Sequence, residues 1–261
     1  MIARRPAVAG SFYPGQSYRL RQQVEQLLAA AATTLRITPK ALIVPHAGYV
    51  YSGRTAAAGF ATLSGSTQTF ARIVLIGPAH YVAVRGAALP TADAFETPLG
   101  RVPVDQATLN EITDLPFVSW NDAAHAPEHA LEVELPFLQI VLPSFSLLPL
   151  VVGDASAHEV AQVLARLWSG PETLLVISSD LSHYHSYEIA RRLDAATAAV
   201  IENGDWASLG PEHACGYLPI AGLLIEANRR NLKARRLSLC NSGDTAGPRD
   251  QVVGYGAWMF G

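Results

Sequence analysis

The chain has 261 residues, a formal net charge of −3 and an isoelectric point near 6.2. Apolar residues make up 49% and charged residues 16%, which excludes a disordered chain, whose signature is low hydrophobicity with high net charge. The mild acidity predicts no nucleic-acid partner, which would call for a basic face, and no apolar run reaches the roughly 18 residues that span a bilayer. The longest suspect stretch, 27–35, is short, alanine-rich and interrupted by threonine, so no membrane association is expected.

The N-terminal MIARRPAVAGSFYPG has no apolar run behind its arginines, and two cysteines, Cys215 and Cys240, are too few for a disulfide framework. Both readings predict a cytoplasmic protein. With no repeat and no Gly/Ser/Pro-rich linker, one domain is expected over residues 1–261. In chain order, Ser17 is the expected N-cap of a helix on which Leu20, Val24, Leu27 and Leu28 recur at helical spacing. Apolar runs at 40–45, 72–76, 146–152 and 173–178 read as strands, with a Gly/Ala-rich helix at 53–63 between the first two. Helical patterns follow at 157–168, 187–201 and 217–230, and two last strands at 234–240 and 252–260. Short runs of Val, Ile and Leu suit strands buried on both faces. Their alternation with helices predicts an α/β fold, a single domain with a mainly parallel central sheet flanked by helices.

Three of these strands each release a ligand-type side chain within about five residues of their C-terminal end: His46, then His80, then Asp180 with His183. A single histidine at a strand end is more often a cap or a surface group. Three at equivalent topological positions point to a shared polar site. Two imidazoles and a carboxylate with open positions are the donor set of a non-heme Fe(II) centre, and they also suit zinc. The segment EHALEVELPF (128–137) packs Glu128, His129, Glu132 and Glu134 closely; as a helix it would put Glu128 and Glu132 on one face, with His129 as a supporting group. It is not the HExxH zinc-protease motif. NSGD at 241–244 is a turn signature that brings Asp244 toward the same rim, although a plain turn explains it equally well. Cys215 in HACGY reads as a buried, inert thiol. His125 and His213 read as structural and His158 as solvated. No GxSxG, Walker A or GxGxxG motif is present.

The ordered set PAVAGSFYPG (6–15), PHAGYVYSG (45–53), GPAHY (77–81), ETPLG (96–100), EHALEVELPFLQ (128–139), SSDLSHY (178–184) and CGYLPI (215–220), with the NSGD…VVGYGA tail, resembles the MEMO family, of the AmmeMemoRadiSam system protein B type. The resemblance runs from about residue 5 to 260. It implies a fold similar to the class III extradiol dioxygenases, with His46 and His80 as metal ligands, His183 as the acid/base and Asp180 in the same cleft. The third ligand of those enzymes is a late glutamate, and animal MEMO proteins look as though they place a cysteine there; this chain offers Asp244 or Thr245. The resemblance implies Fe(II), with copper or zinc as alternatives, and an unknown small-molecule substrate. It also implies a functional link to AMMECR-type and radical SAM proteins. Three uses of the cleft follow: a metal-dependent oxidoreductase, a metal-binding protein without turnover, or a peptide- or protein-binding module. Fold similarity alone does not choose among them.

Overall fold

Strands without polar alternation must be covered on both sides, and the computed structural model, which describes residues 2–31, 38–64 and 69–261, covers them with helices. In chain order the strands are β1 (Ala3–Arg4), β2 (Ala41–Val44), β3 (Arg72–Pro78), β4 (Ala87–Leu89), β5 (Ala94–Thr97) and β6 (Gly100–Pro103). They continue as β7 (Val118–Trp120), β8 (Ser146–Val152), β9 (Thr173–Ser178), β10 (His183–His185), β11 (Ala234–Asn241) and β12 (Val252–Phe260). The main sheet runs β10-β12-β2-β9-β3-β8-β4-β7, with β11 paired to the other side of β12. A small second sheet has the order β1-β5-β6.

The expected mainly parallel sheet is present at its centre, where β2, β9, β3 and β8 are mutually parallel neighbours. Both flanks are antiparallel: β12 against β2 on one side, β4 against β8 on the other. Val44 pairs with Ser178 and Ile76 with Ile177, so β2, β9 and β3 end side by side. The parallel strands are buried almost throughout, and Leu42, Ile43, Leu75, Val176 and Ile177 form the middle of the core.

Three strands, 146–152, 173–178 and 252–260, have the predicted bounds, whereas the first predicted run shortens to Ala41–Val44 and the second extends to Pro78. The later helices span Ala157–Leu167, Tyr187–Asn203 and Tyr217–Arg229, each within two residues of expectation. Ser156 caps the first of these in a reciprocal box with Glu159. Ser17 is not a cap: it is the first helical residue of Ser17–Ala30, and Gln16 at the cap position makes no side-chain capping bond. The Gly/Ala-rich helix begins earlier than predicted, at Tyr49, whose N–H donates to Phe12 O at 2.8 Å. Part of the 27–35 stretch lies outside the described residues. Among the described residues no helix is long and apolar enough to cross a membrane.

The segment 128–137 is not one helix; the backbone turns at 128–131 and makes one 3-10 turn, Glu132–Glu134, before the helix Leu135–Val141. The irregularity sends the three glutamates in different directions. Glu132 is fully buried and receives the N-terminal segment: its carboxylate pairs with Arg4, accepts the N–H groups of Ala7 (2.7 Å) and Val8 (3.0 Å), and accepts Tyr13 OH at 2.6 Å. Arg4 is buried as well and donates to the carbonyls of His125 at 3.0 Å and Glu128 at 2.5 Å. Removing one partner of a buried ion pair strands the other charge. Glu132→Ala is therefore expected to lower the unfolding free energy by about 3–5 kcal/mol in a urea titration, and a change below about 1 kcal/mol would contradict this account.

The helix Tyr187–Asn203 sets Asp194 against Gly254 of β12, and Asp194 Oδ1 accepts the N–H of Ser182, in the segment after β9, at 3.1 Å. Burial pushes the Asp194 pKa up from 3.8 to about 6, against the opposing pull of the Ser182 hydrogen bonds. A folded-state pKa above the unfolded value means that the folded protein holds this proton more tightly. Asp194 therefore costs stability above pH 6, and the cost fades as pH falls through the window from 6 to 4. Two pKa units correspond to about 3 kcal/mol at most. Asp194→Asn is expected to raise Tm at pH 8 and to leave it unchanged at pH 4; an equal shift at both would rule out the ionised carboxylate as the cause.

Candidate metal centre

The site lies beyond the carboxyl ends of three adjacent parallel strands, where an α/β sheet leaves a crevice. His46 follows β2 by two residues and His80 follows β3 by two, while β9 ends in Ser178 and continues into Asp180. Their rings meet: His46 and His80 are 5.1 Å apart edge to face. His129 joins them from the Glu128–Glu134 segment, stacked on His80 at 4.7 Å and edge-on to His46 at 5.3 Å. Phe12 covers His129 with ring centroids 4.9 Å apart, which is how the N-terminal segment becomes a wall of the site. A cleft of about 590 Å³ opens above these rings, lined also by Asp180, His183, Tyr51 and Tyr255.

Each imidazole is anchored from behind. Glu128 accepts the His80 backbone N–H at 2.7 Å with one oxygen and faces His80 Nδ1 at 2.8 Å with the other. Burial would raise the Glu128 pKa, but the hydrogen bonds and charge of His80 prevail and hold it at about 2. An ionised carboxylate only accepts, so His80 Nδ1 carries a proton and donates it to Glu128. His46 Nδ1 lies 2.8 Å from Ser178 Oγ, and the His46 N–H donates to Asp180 Oδ1 at 2.8 Å. Burial, with His80 adding to it, lowers the His46 pKa to about 3. Burial and the neighbouring His46 and His80 bring His129 to about 4. Both rings are neutral at pH 7, which is the ligating form.

The third ligand-type side chain here is Cys215. Its Sγ sits 3.4 Å from His46 Nε2, close to the roughly 3.5 Å that two ligands of a tetrahedral ion keep between them. One nitrogen of His46, one of His80 and Cys215 Sγ all lie within 4.8 Å of one another, a group that could hold a metal ion. His80, Glu128 and His129 form a second such group, but there Glu128 is already engaged by His80. Cys215 reaches the site because its loop is sewn to the end of β9: Cys215 N–H donates to Asp180 O at 3.3 Å and Gly216 N–H to Ser179 Oγ at 2.9 Å. A Cβ on Gly216 would stand 2.7 Å from Ser179 Cβ, so only glycine lets the two segments approach this closely. Burial first, then the nearby Asp180 charge, push the Cys215 thiol up to about 12, so without a metal it is protonated and unreactive.

Asp244 does not take the place expected of it. It is exposed, and both its oxygens are used locally: Oδ1 accepts Tyr187 OH at 2.5 Å and Oδ2 accepts the Asn241 N–H at 3.1 Å, closing the capping box of the turn Ser242–Asp244. Thr245 likewise bonds to Ser242 O at 3.1 Å. Among the described residues neither belongs to a group that could hold a metal ion. The short 241–244 turn folds back on itself, and its carboxylate is spent on the cap. Asp180 grips the backbone of His46 rather than an imidazole, and His183 Nδ1 donates instead to Leu181 O at 2.8 Å. Tyr184, next to it, holds a left-handed backbone (φ 60), a conformation that costs a non-glycine residue about 1–2 kcal/mol and that clusters at functional sites. His125 is buried with Nε2 on Ala88 O at 2.9 Å, and His158 packs on Trp206, both away from the cleft.

A sheet whose strand ends bring two imidazoles and a neighbouring thiol to one crevice defines an α/β protein with a candidate metal cleft. The Memo-like protein family matches residues 4–259, and the chain belongs to this family. A MEMO1 family protein of Aquifex aeolicus is 34% identical over 271 residues, covering 100% of both chains. Another, from Thermoplasma volcanium, is 34% identical over 265 residues and 97% of each chain. Among solved structures, the uncharacterized protein JW3007 from Escherichia coli K12 superposes with a TM-score of 0.54 at 16% identity, over 83% of this chain and 98% of that one, a likeness of fold alone.

The approach at Gly216 can be tested without any metal. Gly216→Ala must push the 215–216 loop off Ser179, so Cys215 is expected to alkylate with iodoacetamide about tenfold faster than in the wild type, read by mass spectrometry with Cys240 as the internal reference. Unchanged Cys215 labelling would mean that the loop accommodates the methyl group.

Proposed function

We propose that the cleft is a mononuclear metal centre held by His46 Nε2, His80 Nε2 and the Cys215 thiolate, serving oxidoreductase chemistry on a small molecule. The observation that carries this reading is the convergence of three ligand-type atoms from three separate strand ends and loops within 4.8 Å. A buried, neutral His46 imidazole beside a protonated thiol is a poor arrangement for stability and a good one for a metal. With a thiolate in place of the expected carboxylate the set is softer than two histidines and an aspartate, which favours Fe(II) or copper over magnesium or manganese and leaves zinc as the redox-inert competitor. Iron is the first metal to test. Such an ion supplies a Lewis-acid and redox-active position open to the cleft.

The chain's own residues have distinct parts in this reading. Cys215 gives up its proton when a metal binds, so affinity rises with pH. Glu128 fixes the ring of His80 and strengthens it as a donor. Asp180, buried against the His46 backbone, adds negative charge beside the cation site. His183, on the opposite lip with Nδ1 tied to Leu181 O, offers Nε2 to accept a substrate proton. Phe12, Tyr51 and Tyr255 form a wall suited to a flat, partly apolar molecule.

Metal analysis of protein purified anaerobically without an affinity tag, beside His46→Ala/His80→Ala and Cys215→Ser, tests the reading. Near-stoichiometric iron is expected in the wild type, lost in both variants, with oxygen consumption on a panel of diols that falls in His183→Ala while the metal stays bound. Wild-type metal no higher than in the double variant, even after anaerobic Fe(II) loading, would overturn it and favour a binding groove. Bound metal with no oxygen consumption on any substrate would favour a metal-holding protein.

A further inference from the structure

Behind His46 lies a buried carboxyl that the proposed centre does not touch. Glu134 has no solvent exposure, and its Oε2 has no hydrogen-bond partner. Its Oε1 lies 2.9 Å from Ser178 Oγ. The same hydroxyl lies 2.6 Å from Ala130 O and 2.8 Å from His46 Nδ1. A serine hydroxyl has one proton and two lone pairs. A backbone carbonyl can only accept, so the contact at 2.6 Å takes the serine proton; two oxygens that close without a proton between them would repel. The other two neighbours must then both donate to Ser178 Oγ. His46 does so from a protonated Nδ1, and Glu134 does so only as the neutral acid. The bare Oε2 agrees, because an anionic carboxylate with an unsatisfied oxygen in a dry interior is far costlier than a neutral one. Burial, together with the Asp180 charge, favours the same form.

We propose that Glu134 is a positioning residue that keeps its proton, donates it to Ser178 Oγ, and through that hydroxyl fixes the His46 tautomer whose Nε2 is free to face Cys215. The use of that Nε2 as a ligand rests on the metal reading above; the tautomer itself does not. The two histidines are thus set by different devices. His80 is held directly by an ionised carboxylate, and His46 is held through a hydroxyl by a neutral acid. The neutral relay leaves His46 the less electron-rich ligand and adds no second buried anion beside Asp180.

Two measurements on the metal-free full-length protein test the relay. In infrared difference spectra of wild type against Glu134→Gln at pH 7, the carbonyl stretch of a protonated carboxylic acid is expected in the wild type only; carboxylate bands in its place would overturn the proposal. In nitrogen-15 NMR, His46 is expected to carry its proton on Nδ1 in the wild type and in Glu134→Gln, whose amide can still donate to Ser178. It is expected to lose that preference in Glu134→Leu. Should the leucine variant not fold, Ser178→Ala removes the same link and is expected to give the same loss. An Nδ1 proton unchanged in the leucine variant, or in Ser178→Ala, would overturn the relay. Titration with Co(II), followed by thiolate-to-metal charge-transfer absorption, then reads the consequence: Glu134→Leu is expected to bind about 10–100-fold more weakly and Glu134→Gln to restore most of the affinity. Equal weakening in both would show that an anion is needed, against the proposal. A wild type that binds Co(II) no better than His46→Ala/His80→Ala would sink the metal reading while the infrared and NMR results still decide the relay.

Discussion

Three buried carboxyls within seven residues are the constraint on which this molecule is built. Glu128, Glu132 and Glu134 all lie in the interior, and a buried carboxyl persists only when its oxygens are met by donors or its charge is lost. Each of the three meets that demand with a different part of the chain. Glu128 takes the backbone and ring of His80, Glu132 takes Arg4, two N-terminal amides and Tyr13, and Glu134 meets Ser178 as the neutral acid beside His46. The turn at 128–131 makes this divergence possible, since a regular helix would have put Glu128 and Glu132 on one face. One irregular segment therefore ties together the ends of two strands and the N-terminal arm. The cleft lies between the walls it holds.

The same network links stability to the site. Phe12 covers His129 because Glu132 holds residues 7–13 in place. Loss of that anchor would open the cleft as well as weaken the fold. The thiol side is secured separately, through Gly216 packed on Ser179 and Cys215 bonded to Asp180. Two independent clamps thus set the His80 and Cys215 sides of the group. His46 sits between them on the short strand β2, gripped at its backbone by Asp180 and at its ring by Ser178.

Much of this was legible in the linear pattern. Val-, Ile- and Leu-rich runs that must be buried on both faces mark β3, β8, β9 and β12, and polar groups just past the ends of β2, β3 and β9 mark the rim where the cleft opens. Strands β4 to β7 were not legible. They are three or four residues long, with Ala, Gly and Pro among them, and pair only because β8 and β1 offer them edges. Cys215 reads as inert because its own surroundings, HACGY, look like a plain loop, and only the fold brings its thiol to 3.4 Å from His46 Nε2. The signal that could have found it was the glycine after it, a sign of close backbone approach. Asp244 misled for the opposite reason: it stands at a strand end like the true cleft residues, yet its carboxylate is consumed by the cap of its own turn.

The sequence by itself determined the α/β class, the order of the long elements, the positions of His46, His80, Asp180 and His183 at strand ends, and the family. All of these depend on local pattern, hydrophobic period and residue order, which act over a few residues. Only the tertiary structure decided which ligand-type side chains converge, that the Cys215 thiol stands beside His46, and which way each glutamate faces. Those outcomes depend on distances between segments up to 169 residues apart, as Cys215 and His46 are, and on a limited supply of buried hydrogen-bond donors. A carboxyl's partner, and hence its charge, is settled by that competition, which no local stretch of sequence contains.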